Sequence, residues 1–311
     1  MSKPWAVPSN EKGEFIRKES QFRNFIEEGG QFPPEANRYH LYISLACPWA
    51  HRTLITRNLK GLQDVIGLSV VHYLMGGDGW EFASPVEVPG CIPDTVNGAK
   101  LLREIYLLSD PEYDGRITVP VLFDKQTKKI VNNESSEIIR IFNSSFNNLA
   151  KNPSLDLYPA DLSAQIDEIN EWIYNGLNNG VYKAGFATAQ DAYEKNARLV
   201  HDSLLKVEKI LKANEPNGYL CGSKLTEADI RLFTTIVRFD PVYVGHFKCN
   251  LVTVKDLPAL SNWMKRIFDL EGIKETVNME HIKKHYYMSH VGINPTRIVP
   301  LSDGPLFDES I

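Results

Sequence analysis

The hexapeptide CPWAHR, residues 47–52, holds the side chains whose types and spacing suit chemistry best. Ahead of it, Tyr39, Leu41, Ile43 and Leu45 alternate with other residues, which predicts a half-buried strand over 39–45. From Pro48 to Leu59 the spacing turns helical, and proline suits a first helical turn because its missing N–H would have no partner there. Cys47 therefore stands where a strand ends and a helix begins, facing the unpaired amides of the helix start. Those donors, with the positive end of the helix dipole, stabilise a thiolate and can pull a cysteine pKa well below about 8.5. A reactive thiol is predicted at Cys47 in preference to a small packed cysteine. His51 lies one turn along the helix and leans away from an N-terminal thiol, so it is read as a packing residue. Arg52 is read as a structural or helix-end contact.

Three further features can be drawn toward that sulfur. A cis bond at Val119-Pro120 would expose the Val119 backbone to a peptide ligand lying strand-fashion across the site. Asn132-Asn133-Glu134-Ser135-Ser136 leads into an apolar helix at 138–142, and such a helix start offers amides, a hydroxyl and a carboxylate to an amino-acid zwitterion. Trp80 and Arg116 flank this region in loops. The MGGDGW stretch has glycines without the G-x-G-x-x-G spacing, and no Walker, H-E-x-x-H or G-x-S-x-G sequence is present. The chemistry rests on one thiol.

The elements that must position it read as strand 39–45, helix 48–59, an apolar run from Val65 to Leu74, a helix through Lys100–Leu108, and two strands at 117–123 and 130–131 joined by the turn Asp124–Lys129, then the last helix. That order is α/β. Pro120 inside a strand would force it to a sheet edge, a conflict that a cis bond resolves. After the polar stretch Asn143–Pro159 no convincing strand appears. Helical spacing runs through Asp161–Asn175, Gln190–Ala213, Thr226–Phe239, Leu257–Leu270 and Ile273–Tyr286. In the second of these, Ala197, Val200, Leu204, Val207 and Leu211 share a face. Thr226-Glu227-Ala228-Asp229 is a variant capping box. The chain thus divides into a surface extension (1–38), an α/β domain (39–148), an all-helical domain (149–290) and an irregular tail (291–311).

Bulk properties narrow the class. Charged residues make up 23% and hydrophobic ones 43% of the 311, as in a soluble globular protein of two domains. A net charge of -5 leaves no basic footprint for nucleic acid, and no apolar stretch approaches a membrane span. Cys47, Cys91, Cys221 and Cys249 form no C-x-x-C pair, which fits neither a zinc site nor a disulfide scaffold, so no metal is expected. The N-terminus lacks the apolar core of a signal peptide, and a cytoplasmic location is expected. Cys91 reads as a passive loop cysteine rather than an exposed redox-sensitive one, and Cys221 and Cys249 as packing residues.

The order strand, Cys-Pro helix start, Val-Pro, Glu-Ser helix start and helical domain resembles the glutathione transferase fold. The segments CPWAHRTL, TVPVLFD, NNESSEIIR, NNGVYKAGFATAQ, LTEADIRL, VRFDPVYVGHFKCN and HIKKHYYMSHVGINPT resemble the glutathionyl-hydroquinone reductases, the Xi class of those transferases, over residues 14 to 300. The resemblance implies a thioredoxin-like N-terminal domain and an all-α C-terminal domain. It further implies Cys47 as nucleophile, glutathione contacts at Trp80, Arg116, Val119, Glu134 and Ser135, and a quinol pocket at Tyr182, Tyr243 and Tyr286, with Tyr287 beside the last. Phe123 stands where tryptophan is common in the family, and the glycines of MGGDGW depart from its pattern. A homodimer is also implied.

The expected reaction is glutathione-dependent reduction of S-glutathionyl-hydroquinones through a mixed disulfide on Cys47. Ala50 stands where a resolving cysteine would sit, so external glutathione must resolve the intermediate. The alternatives are another cysteine-type thiol transfer, such as dehydroascorbate reduction or deglutathionylation of small disulfides, and a non-catalytic ligand-binding module. The tyrosine-bearing segments favour the first reading over its enzymatic rival. Retention of the thiol and the Glu-Ser pair argues against the module.

Overall fold

The structure is a computed structural model that describes residues 9–216 and 218–301. The parts of the expected extension and tail at 1–8 and 302–311 lie outside the described residues. The chain separates into two compact units. The first comprises Arg17–Ser163 and Glu271–His285, and the second comprises residues 9–16, Ala164–Leu270 and the chain from Tyr286 onward. The first unit thus takes in 149–163 and 271–285, segments that sequence order puts with the helical half.

The first unit runs β1 (Tyr39–Ile43), α1 (Pro48–Leu59), β2 (Gly67–Val70), α2 (Leu102–Ser109), β3 (Val121–Asp124), β4 (Lys129–Asn132) and α3 (Ser135–Ser144). The sheet order is β2-β1-β3-β4. β1 is parallel to β2 and antiparallel to β3, which forms the expected hairpin with β4. This is the thioredoxin-like arrangement. β1 is buried along its whole length rather than on one face, and it lies inside the sheet with β2 and β3 on its flanks. Its polar members survive there by pairing. The His40 ring lies 2.8 Å from Ser69 Oγ, and Tyr42 Oη donates to Asp94 Oδ1 at 3.0 Å.

Strand limits differ from expectation at the proline. The Val119-Pro120 peptide is cis, and β3 begins only at Val121, so Pro120 stands before the ladder rather than within it. The proline cannot donate to a neighbouring strand, which sets where pairing starts. The stretch Arg17–Arg38 departs further, since it is not a surface extension. Asn24 N donates to Val131 O and Asn133 N to Phe22 O, both at 3.0 Å, so the segment pairs along β4. Ile26 and Phe32 join the core of the unit. Arg38 closes the segment with a buried two-pronged pair to Asp124, at 3.0 and 2.7 Å. An otherwise open edge is thereby covered.

The second unit is helical. Its helices are α4 (Ser163–Ile173), α5 (Gly180–Gly185), α6 (Gln190–Ala213), α7 (Glu227–Ile236) and α8 (Pro258–Phe268). α9 (Met279–Ser289) spans the division between His285 and Tyr286. The helix expected over Ile273–Tyr286 is a 3-10 turn at Lys274–Thr276 followed by α9. Two π-helical turns, Tyr174–Asn178 and Phe239–Tyr243, interrupt the helical spacing, and α5 was not legible in it. Ala197, Val200, Leu204, Val207 and Leu211 of α6 are all buried, as their shared face requires. Among the described residues of this unit no named strand occurs.

The capping box at α7 is present and does more than cap. Asp229 is fully buried and accepts hydrogen bonds from Thr226 N and Oγ1 (3.0 Å each), Leu220 N (2.9 Å) and Trp263 Nε1 (3.0 Å). Burial pushes its pKa up, and these four donors oppose that. Asp229→Ala strands all four and should cost on the order of 3 kcal/mol. A fall in Tm of roughly 5–10 °C by scanning calorimetry is expected.

His40 makes stability pH-dependent. Burial lowers its pKa from the ordinary 6.5 to about 4. Between those values the unfolded chain binds the proton and the folded one does not, so stability is full above 6.5 and lost as pH falls toward 4. Melting followed by circular dichroism should show Tm falling across that window, and His40→Gln should flatten the fall. A slope unchanged in the variant would assign the effect to His72 and His281, which burial shifts in the same direction.

Candidate functional site

In the first unit, β1 ends at Ile43 and Cys47 is the N-cap of α1, with extended backbone (φ -77°, ψ 120°) and Pro48 in the first turn. The half-exposed thiol lies 3.7 Å from Val119 O, on the residue before the cis proline. The β1–β3 register pairs Tyr42 with Val121 and so brings the approach to β3 alongside the approach to α1. The other three cysteines are a different chemical population. All are buried, and burial pushes Cys91 and Cys221 up to about 11 and Cys249 up to about 12. Cys91 Sγ faces Val71 O at 3.6 Å, so it is no exposed loop thiol. Burial thus keeps these three protonated near neutral pH, and among the described cysteines Cys47 alone is half exposed.

The Glu-Ser pair opens α3, which begins at Ser135, three residues ahead of the apolar run at 138–142. Glu134 is the N-cap, its Oε1 accepting from Ser136 N (3.1 Å) and Ser136 Oγ (3.0 Å). Ser20 Oγ reaches Glu134 Oε2 at 3.1 Å from the segment ahead of β1. Burial works to raise the Glu134 pKa, yet the Ser136 amide and hydroxyl, the Arg52 cation and Ser20 hold it below its ordinary value. A carboxylate fixed beside helix-start amides can hold both the ammonium and the carboxylate of an amino acid.

Trp80 is buried rather than a surface loop residue. Its ring stacks on His285 (5.0 Å between centroids, 22° between planes), and Trp80 O accepts from Leu102 N. Arg116 is exposed in its loop, and its carbonyl accepts from Tyr113 Oη. The structure thus draws Cys47 to Val119, and Glu134 to Ser135. Trp80 and Arg116 have their contacts with other partners.

His51 is buried, with its ring nitrogen 2.7 Å from Thr276 Oγ1, in keeping with a packing role. Arg52 is not a helix-end contact. It is 1% exposed, donates to Ser135 Oγ at 3.3 Å, and stacks on the Trp49 ring at 4.5 Å. Arg17 packs against the same ring at 4.6 Å. Sequence reasoning missed Arg17 and Ser20, which reach these groups only through long-range packing. For Arg52 the signal was present: an arginine among apolar neighbours in the second turn of a buried helix.

In the second unit, Tyr182 of α5, Tyr243 at the end of a π turn and Tyr286 of α9 share one hydroxyl cluster. Tyr286 Oη lies 2.5 Å from Tyr182 Oη and 3.0 Å from Tyr243 Oη. Tyr287 instead directs its hydroxyl to Pro241 O at 3.4 Å. Burial and the neighbouring Tyr182 push both Tyr243 and Tyr286 well above the ordinary tyrosine range, against the pull of the Arg238 cation. These phenols keep their protons and can donate to an anionic oxygen. π turns often occur at functional sites, because the extra residue re-aims a side chain.

Comparison with known proteins agrees with this architecture. Residues 46–145 match the model "Glutathione S-transferase, N-terminal domain", and 190–266 match "Glutathione S-transferase, C-terminal domain". The chain is 49% identical to the glutathionyl-hydroquinone reductase YqjG of Escherichia coli, over 98% of this chain and 94% of that one. Among solved structures, glutathione-S-transferase Xi from Phanerochaete chrysosporium superposes with a TM-score of 0.92 at 53% identity, covering 96% of both chains. The glutathione-bound structure of E. coli YqjG gives a TM-score of 0.87 at 51% identity, covering 91% of this chain and 94% of that one. With such identity over nearly the full length, the chain belongs to the Xi-class glutathione transferases, the family of the glutathionyl-hydroquinone reductases.

Proposed function

We propose that the protein reduces S-glutathionyl-hydroquinones to hydroquinones at the expense of glutathione, with Cys47 as nucleophile. The observation that carries this reading is a half-exposed thiol at the N-cap of α1, 3.7 Å from the Val119 carbonyl, in a chain whose other described cysteines are all buried. Identity to the E. coli reductase over nearly all of both chains supplies the reaction class.

The glutathionyl part of the substrate lies along Val119, with its γ-glutamyl ammonium on Glu134 and its carboxylate on Ser135 and the α3 amides. Trp80 and Arg116 complete its contacts. The Cys47 thiolate attacks the glutathione sulfur, an S–S bond forms, and the bond between sulfur and ring carbon breaks. Its electron pair stays with the ring, which takes up a proton and leaves as the hydroquinone. Tyr182, Tyr243 and Tyr286 hydrogen-bond the ring oxygens and supply that proton. A second glutathione thiolate then attacks the mixed disulfide, releasing glutathione disulfide and restoring the Cys47 thiolate. The aromatic ring is reduced, two glutathiones are oxidised to one disulfide, and the kinetics are ping-pong. Position 50 is alanine, so resolution is intermolecular. A homodimer belongs to the same proposal.

Cys47→Ala should abolish turnover of a glutathionyl-menadiol without loss of fold. In the wild type, substrate added without free glutathione should leave one glutathione adduct on Cys47 by intact-mass spectrometry. A Cys47→Ala protein that kept most of its turnover would refute the mechanism. Tyr286→Phe should lower kcat roughly a hundredfold, the usual scale for a lost general acid. Stopped-flow release of the hydroquinone checks this, because adduct formation itself should slow.

A further inference from the structure

Arg52 has no part in the reaction above, yet it is among the largest fully buried side chains of the described molecule. It projects from the second turn of α1 onto the start of α3, where Nη1 donates to Ser135 Oγ at 3.3 Å. Its guanidinium plane lies 4.5 Å from the Trp49 ring, on which Arg17 also packs at 4.6 Å. A buried cation is expensive unless something requires it there. Its charge is felt at Glu134, which it helps to keep ionised.

We propose that Arg52 is a positioning residue for glutathione, orienting the Ser135 hydroxyl and holding a cation behind the Glu134–Ser135 helix start that receives the γ-glutamyl group. This inference rests on the reading that those two residues bind glutathione. The guanidinium does two things at that helix start. As donor to Ser135 Oγ it occupies a lone pair of the hydroxyl and leaves the serine proton to be donated, here to Glu134 Oε1 at 3.5 Å and, with glutathione bound, to a ligand carboxylate. As a fixed charge it adds to the positive end of α3. Trp49, held between Arg17 and Arg52, keeps the guanidinium plane in place. Lysine could supply the charge but not the planar fork.

Glu134 also faces Arg23 from the segment ahead of β1, but Arg23 Nε is committed to Glu137 at 2.7 Å, and Glu137 is the other acid of the first α3 turn. Removing the Arg52 charge should therefore raise the Glu134 pKa. The ammonium would then be lost at a higher pH, so the acid limb of glutathione affinity moves upward.

The test is glutathione binding by titration calorimetry, with steady-state KM and kcat, on Arg52→Met, Arg52→Lys, Ser135→Ala and Glu134→Gln. Arg52→Met should weaken glutathione about tenfold, raise KM more than it lowers kcat, and shift the acid limb upward. Arg52→Lys should keep the limb in place and recover part of the affinity. Combining Arg52→Lys with Ser135→Ala should weaken binding less than the product of the two single losses. A purely structural arginine would lower Tm and leave affinity, KM and the acid limb of the folded protein unchanged, which would overturn the proposal. Additive losses in the double variant would overturn it too, including where Arg52→Met does not fold. Unchanged affinity in both Ser135→Ala and Glu134→Gln would refute the underlying reading instead. Weakening in those two but none at Arg52 would refute only the present inference.

Discussion

The antiparallel register of β1 on β3 is the constraint on which the thiol site depends. Tyr42 lies opposite Val121, so the residues leaving β1 run beside those approaching β3. Pro120 cannot donate to a ladder, and pairing starts only after it. Val119 is left outside the strand with its carbonyl beside Cys47 Sγ. A slip of one residue would turn every β1 side chain to the opposite face. Such a slip is resisted because the strand is buried along its length and His40 and Tyr42 each have a polar partner.

Around that register the first unit manages its exposed chemistry by covering it. The open edge of β4 is taken by the segment ahead of β1, and the same segment delivers Ser20 to Glu134 and Arg17 to Trp49. One stretch of chain thus shields a sheet edge and lines a helix start. Arg38 on Asp124 fixes where it ends, since a buried two-pronged ion pair tolerates little displacement. The other described cysteines are kept inert by burial, whereas the one at a helix start stays half exposed. Burial and helix dipole act on a sulfur in opposite directions.

In the second unit polar groups are buried for two different ends. Asp229 is surrounded by donors from a capping box, a loop amide and an indole, and ties α7 to α8. The tyrosine cluster instead pairs hydroxyls with one another, each of the two bonds to Tyr286 using one hydroxyl proton and one lone pair. Two of its members depend on irregular helix. Tyr243 closes a π turn, and the short α5 that carries Tyr182 follows another. Regular 3.6-residue spacing would distribute these side chains differently around their helices.

Much of this was open to reading along the chain. Cys47 beside Pro48 marks a helix start from local stereochemistry alone, and Thr226 with Asp229 marks another. The strand and helix order of the first unit follows from hydrophobic period, and the resemblance of whole segments identifies the family. These signals are local, so one chain suffices to carry them. What period and caps could not supply were the departures from regularity: α5, the π turns, and the start of β3 after Pro120. Nor could they show that residues 17–38 belong to the core, that Trp80 is buried, or that Arg52 reaches Ser135 across 83 residues of chain. Those depend on which distant segments pack together, and packing is decided by the whole molecule excluding water at once. The sequence by itself determined the cysteine at a helix start, the order of elements and the family. The tertiary structure alone decided which charges and hydroxyls stand behind the site, because a buried arginine or a shared tyrosine proton needs partners that no local spacing encodes.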